Sequence, residues 1–222
     1  MCKSRANVPA LFVQAFFSVV LMAMVASIQA NNSIPQDDPE KMISHLSETI
    51  IEALNDQRAE LEGNPAKIKA FAKTYVLPYV DTPKMARYVM GRYWRTTTQE
   101  QQEAFVDEFT TTLLRSYSQS LLKLKITSVS VRPKIEEKPG RVTVSSEVVQ
   151  ADGNKTDVIY RAYLDKKNQK WMVYDVTVEG VSMLLNYRKT YDSEFSRSGV
   201  DAVIAAMKEK NKEFNGVPNG SV

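Results

Sequence analysis

Cysteine and histidine are almost missing from this chain of 222 residues: Cys2 and His45 stand alone. With Cys2 at the extreme start, the body of the chain has no disulfide, no thiolate metal site and no cysteine nucleophile. His45 lies between Ser44 and Leu46 in a helical stretch, with no Glu-x-x-His or His-x-x-x-His spacing around it. A multi-histidine zinc site or a Ser-His-Asp triad therefore lacks its parts, and His45 reads as a solvated helix residue. Glycine is also scarce, at 8 residues, and forms no phosphate-loop, dinucleotide or Gly-x-Ser-x-Gly pattern. No acidic run resembles a calcium loop. Nucleotide and metal readings have nothing to stand on, and no cofactor is expected. The low glycine count, 9 prolines, 43% hydrophobic and 25% charged residues exclude a disordered or collagen-like chain and suffice for one core or two small ones.

Long apolar runs are missing too, save one. Lys3 and Arg5 lead into the apolar residues 11–25, and Ala26-Ser27-Ile28-Gln29-Ala30 follows with small residues at cleavage spacing. The run falls short of the ~20 residues that cross a bilayer as a helix. Residues 1–30 therefore read as a secretory signal peptide cleaved near Ala30, with a membrane anchor as the weaker alternative. Export of a soluble mature chain is expected. Cleavage removes two of the 29 basic residues and none of the 26 acidic ones, so the formal charge falls from +3 to +1. A nucleic-acid footprint loses support, because it needs a basic face rather than a near-neutral average.

Helical periodicity fills the first half of the mature chain. Asp38-Pro39, Asn64-Pro65 and Thr82-Pro83 each read as a cap followed by an early helical proline. Ile43, Leu46, Ile50, Leu54 and Leu61 line the first helix, and Pro78 closes the second. Thr98 and Gln101 form a capping-box pattern before the longest helix, lined by Phe105, Phe109, Leu113, Tyr117 and Leu121. The period then becomes extended at 126–131, 142–149, 156–164 and 171–178, with turn chemistry at Lys138-Pro139-Gly140, Ala151-Asp152-Gly153-Asn154 and Asp165-Lys166-Lys167-Asn168. Two closing helices carry Val181, Leu184, Leu185, Tyr191 and Phe195, then Val200, Val203, Ile204, Met207 and Phe214. The pattern predicts an α+β fold, with helices packed on a four-stranded antiparallel meander sheet. One domain is expected over 31–214, with a helical part at 39–123, the sheet at 124–179, C-terminal helices at 181–214 and a flexible tail at 215–222.

The strands carry apolar residues on both faces: Val158, Tyr160, Ala162 and Leu164 alternate with Ile159 and Tyr163. Helices on one face with loops or a partner on the other would explain this. An apolar cavity between sheet and helices, covered by ligand rather than protein, is the sharper alternative. Asp175 stands in an otherwise apolar strand, where an unpaired carboxylate is costly. It reads as paired with Arg161 or Arg188, the alternative being a base in the pocket of a small α+β enzyme. Glu179 reads as a cap or ion-pair partner at the strand exit. Lysines near the hairpin turns, among them Lys166, Lys167 and Lys170, read as a solvated edge that discourages strand pairing; a docking surface for an acidic partner or anionic lipid is the alternative.

Two long motifs go beyond composition. Val76-Leu77-Pro78-Tyr79-Val80-Asp81 runs into Met85-Ala86-Arg87-Tyr88-Val89-Met90-Gly91-Arg92-Tyr93-Trp94-Arg95. Later come Trp171-Met172-Val173-Tyr174-Asp175-Val176-Thr177-Val178-Glu179-Gly180-Val181-Ser182 and then Asn186-Tyr187-Arg188. With the intervening helix of Gln102, Phe105 and Phe109, these resemble the MlaC family of periplasmic phospholipid-binding proteins, also called toluene-tolerance auxiliary components, over about residues 40–212. Tyr79 is a departure, at a position where the family pattern leads one to expect histidine. The resemblance implies a deep apolar cavity holding one diacyl phospholipid, and no enzymatic activity. It implies a shuttle that maintains outer-membrane lipid asymmetry. Its expected partners are an outer-membrane lipoprotein complex and an inner-membrane ABC transporter with a lipid-binding ring subunit. Candidate lipid contacts are Val76, Val89, Phe105, Phe109, Val144, Val148, Tyr160, Val173 and Leu185. Arg92 and Arg188 are expected in structural ion pairs, with phosphate contact as the alternative. A structural adaptor of a membrane complex is the remaining reading.

Overall fold

The structure, a computed structural model, describes residues 34–216; the leader read at 1–30 and most of the tail lie outside the described residues. Three helices open it with the same device. Asp38, Asn64 and Asp81 accept backbone N–H bonds at the starts of α1 (Pro39–Leu61), α2 (Pro65–Tyr75) and α3 (Thr82–Met90), and each helix has an early proline. Proline fits there because the N–H it lacks would have no helical partner. A 3-10 turn (Gly91–Arg95) extends α3. The capping box of Thr98 and Gln101 forms as read and opens α4 (Gln99–Lys123), the longest helix.

The sheet has two more strands than the four read from the sequence. The four expected runs are β1 (Ile126–Val131), β3 (Arg141–Gln150), β4 (Lys155–Asp165) and β5 (Lys170–Val178), ordered β1-β3-β4-β5 with every pairing antiparallel. The added strands are β2 (Ile135–Lys138) and β6 (Val181–Ser182), which pair with β3 and β5. β1 and β2 lie along the same edge of β3: Val131 pairs with Ser146, and Ile135 with Thr143. Between them stands Pro133, which has no N–H for the ladder, so one interrupted edge strand looked like a strand and a loop. β6 has only two residues and so no period of its own, and Val181 reads from the sequence as part of the following helix. The outer edge of β5 is covered in pieces: Trp171 N donates to Gln36 O, Val173 N to Tyr79 O, and Asp81 N to Val173 O, each at 2.8 Å.

α5 (Met183–Ser198) and α6 (Val200–Asn211) complete the fold. α6 ends before Phe214, which is buried in the turn beyond it. Three apolar clusters hold these elements. One joins α3, α4, α5 and α6 through Met85, Phe105, Phe109, Leu184, Phe195 and Met207. The second seats Met42, Ile43 and Leu46 of α1 on the sheet, and the third ties α1 and α2 to Leu122 and Phe214.

Candidate functional site

Strand register builds the sheet face beneath α1 row by row. The first row, Val142–Ala162–Val173, is sealed, with all three residues buried against α1 and Tyr79. The second, Val144–Tyr160–Val176, is buried at Val144 and half-buried at the other two. The third crosses five strands, Val131–Ser146–Val158–Val178–Val181. Ser146 is fully buried there, yet Val178 is 39% and Val181 61% exposed. The fourth row is Val129–Val148–Thr156. An apolar face closed by α1 at one end thus opens toward the β5–β6 corner.

The helices leave a second apolar surface incompletely closed. Each four-residue step along a helix of 3.6 residues per turn rotates by about 40°, so the stripe from Phe105 to Leu121 winds off its starting face. Phe105 and Phe109 are fully buried, Leu113 and Tyr117 half-buried, and Leu121 is 42% exposed. α4 packs on other helices rather than substantially on any strand. Burial raises the pKa of the Tyr117 phenol, with nearby Tyr187 adding to the effect. Burial likewise raises that of Tyr160, opposed by the hydroxyls of Ser146 and Ser47. These are phenols kept neutral by apolar surroundings.

The candidate residues therefore fall into separate places. Val144, Val148, Tyr160 and Val173 share the sheet face. Val89, Phe105 and Phe109 belong to the helical cluster, where Phe105 and Phe109 stack at 5.8 Å and Tyr191 meets Phe105 edge-on at 5.4 Å. Val76 is the half-buried C-cap of α2. Leu185 is half exposed, because it sits one residue, about 100° of helix, away from the buried Leu184–Tyr191–Phe195 stripe. Val158, Val176 and Val178 were not selected from the sequence. Val158 lies two residues from Tyr160 and is within reach of sequence alternation, whereas Val176 and Val178, three and five residues beyond Val173, join this face only through the register shift in β5.

Asp175 is occupied structurally. It is 1% exposed, accepts from Ser182 Oγ at 2.7 Å and from Leu184 N at 3.1 Å, and has Arg161 Nη1 at 3.8 Å. Its carboxylate anchors the start of α5, with Arg161 rather than Arg188 as its ion partner. Glu179 is neither cap nor ion-pair partner among the described residues. With φ of 49° beside Gly180 at 81°, it forms the two-residue turn between β5 and β6.

Two open grooves, of about 430 and 570 Å³, lie along α3, the 3-10 turn and α5. No strand residue lines either one, so neither occupies the space between sheet and helices where the sequence suggested a cavity. They meet at Gly91, Arg92 and Arg188.

An antiparallel sheet with one largely apolar face, closed at one end by a helix and flanked by a helical layer, defines an α+β protein suited to holding an apolar ligand. The MlaC protein family model matches residues 23–209, and the chain belongs to that family. The chain is 21% identical over 196 residues to the intermembrane phospholipid transport system binding protein MlaC of Haemophilus influenzae, covering 87% of this chain and 92% of that one. It is 22% identical over 170 residues to the toluene tolerance protein ttg2D of Pseudomonas putida, covering 76% and 78%. Its fold matches a phospholipid-binding protein from Ralstonia solanacearum, solved with a phospholipid, at a TM-score of 0.73 and 23% identity, over 80% of this chain and 99% of that one.

Proposed function

We propose that this chain is a periplasmic carrier of a diacyl phospholipid, exchanging its cargo with an outer-membrane lipoprotein complex and an inner-membrane ABC lipid transporter to maintain outer-membrane lipid asymmetry. In this reading residues 1–30 are a cleaved export signal, 31–214 form one lipid-binding domain and 215–222 are a tail. The observation that carries it is the apolar sheet face whose third row becomes exposed at Val178 and Val181. Acyl chains lie against Val148, Val158, Tyr160 and Val176 and part the sheet from the distal half of α4. Val89, Phe105 and Phe109 keep the helical layer rigid.

The physics asks for such a carrier. Two acyl chains contain ~30 methylenes, and exposing each costs about 0.8 kcal/mol, or roughly 24 kcal/mol in all. A pocket about as apolar as the bilayer makes handover nearly balanced in either direction. Baring even half the chains adds a barrier of about 12 kcal/mol, or roughly nine decades in rate. Partners that shield the tails during handover are therefore part of the reading.

Native mass spectrometry of gently purified protein tests it, the expected species being the chain with a diacyl phospholipid at fixed stoichiometry. Val158→Glu, at a half-buried position, is expected to keep the fold and lose the lipid. A folded Val158→Glu protein that still carries lipid would refute the placement of the tails. A consistently empty wild type with no opening between sheet and α4 would refute the carrier.

A further inference from the structure

The two open grooves concentrate positive charge that the rest of the chain does not share. Lys84, Arg87, Arg92, Arg95, Arg188 and Lys189 line them together, against one acid, Asp192. The whole chain carries only +3. Arg92 reaches Asp192 at 3.7 Å, but Arg87, Arg95, Arg188 and Lys189 have no carboxylate within ion-pair distance among the described residues.

The groove is also shaped. Arg188 lays its guanidinium 4.6 Å over the Tyr88 ring. Gly91, at φ of 55°, allows this approach: a Cβ there would stand 3.3 Å from Arg188 Nη2. Stacking occupies one face of the guanidinium and leaves its N–H edge for a planar or tetrahedral oxyanion. Tyr88 is 40% and Leu185 50% exposed at the margins, and Trp94 lines the larger groove. Arginine and lysine beside exposed aromatic and aliphatic side chains is the composition that suits a lipid–water interface.

We propose that this groove binds the phosphate of anionic phospholipid head groups and so docks the protein on a membrane surface. The inference builds on the carrier reading and assigns it a membrane contact separate from the tail-binding face.

Vesicle co-sedimentation of the protein as purified from the cells that export it tests the assignment. Vesicles of phosphatidylglycerol mixed with phosphatidylcholine are expected to retain more protein than phosphatidylcholine alone. The exposed pair Arg87→Glu with Arg95→Glu is expected to weaken retention at least tenfold, at about a factor of five per basic residue near the surface. Lys166→Glu with Lys167→Glu, an equal charge change in the β4–β5 turn, is expected to leave it within about twofold. Should the glutamate pair fail to fold, Arg87→Gln with Arg95→Gln is expected to give the same ordering with a smaller loss. Inorganic phosphate is expected to displace the protein more effectively than sodium chloride at equal ionic strength.

Equal loss in the two charge-swapped proteins would overturn the proposal, since it would mean a general field rather than a site. So would equal displacement by phosphate and chloride. Lack of retention on either vesicle would do the same and would leave an acidic protein surface as the occupant. Lipid content of the swapped proteins separates this from the carrier reading: cargo retained with docking lost supports both, whereas an empty wild type that still docks refutes only the carrier.

Discussion

Asp175 shows how one side chain acquires a use that its type does not announce. Its strand is apolar on the opposite face, and its carboxylate is buried, yet it receives the hydroxyl of Ser182, the N-cap of α5, and the Leu184 N–H of that helix's first turn. Asp175→Asn turns an amide N–H toward one of those donors and removes the charge that strengthens both bonds. The expected cost is about 2–3 kcal/mol in chemical denaturation, with the phospholipid still present by mass spectrometry. Undiminished stability would show that α5 is anchored some other way, and loss of cargo from a folded protein would reopen a role in the site. Tyr191 makes the corresponding case for pH. Burial pushes its phenol from the ordinary 10.0 up to about 12, so the folded chain holds that proton more tightly than the unfolded one. Its contribution is complete below pH 10 and disappears as pH rises through about 12, amounting to roughly 2–3 kcal/mol. Denaturation midpoints are expected to fall steeply across that window, and Tyr191→Phe, which keeps the ring packing, to fall less steeply.

At the scale of elements, turns carry the errors and the opportunities. Glu179 adopts φ of 49° in the β5–β6 turn, where most side chains are strained and asparagine is the best tolerated after glycine. Glu179→Asn is expected to stabilise the protein by about 0.5–1 kcal/mol, read as a higher melting temperature; a lower one would mean that the glutamate makes a contact worth more than the strain. The same hairpin explains what sequence reading missed. Capping chemistry made α1, α2 and α4 legible, because Asp-Pro, Asn-Pro and Thr-x-x-Gln act within one helical turn. The four main strands were legible from their composition. β6 was not, since two residues have no period, and β2 was not, since Pro133 divides an edge strand whose continuity appears only in its pairing with β3. Leu121 and Leu185 are exposed for a geometric reason: a four-residue stripe rotates away from its core, and an adjacent leucine points elsewhere.

For the whole molecule, the family was legible in long ordered motifs, and four of the expected contacts, Val144, Val148, Tyr160 and Val173, do share one sheet face, whereas the rows that complete the proposed tail-binding face were not legible. That face depends on which residues of β3, β4 and β5 stand in one row, and the β5 bulge between Arg161 and Ala162 on β4 shifts that register by one residue. Hence Val173 and Val176, three apart, share a face that strict alternation would not give them. The consequence reaches dynamics. If tails occupy the open rows, removing lipid should loosen only the part of the sheet that the tails cover, because the first row is sealed by α1 and Tyr79 without help. Amide hydrogen exchange on loaded and delipidated protein is expected to differ by on the order of tenfold or more in β1, β6 and the distal turns of α4, as ligand binding selectively stabilises what it touches. Amides beside Val142, Ala162 and Val173 are expected to exchange at the same rate in both. A uniform change over the sheet would mean that lipid stabilises the fold as one unit, and greater loosening around the first row than the third would place the tails at the end of the face that the packing of α1 closes.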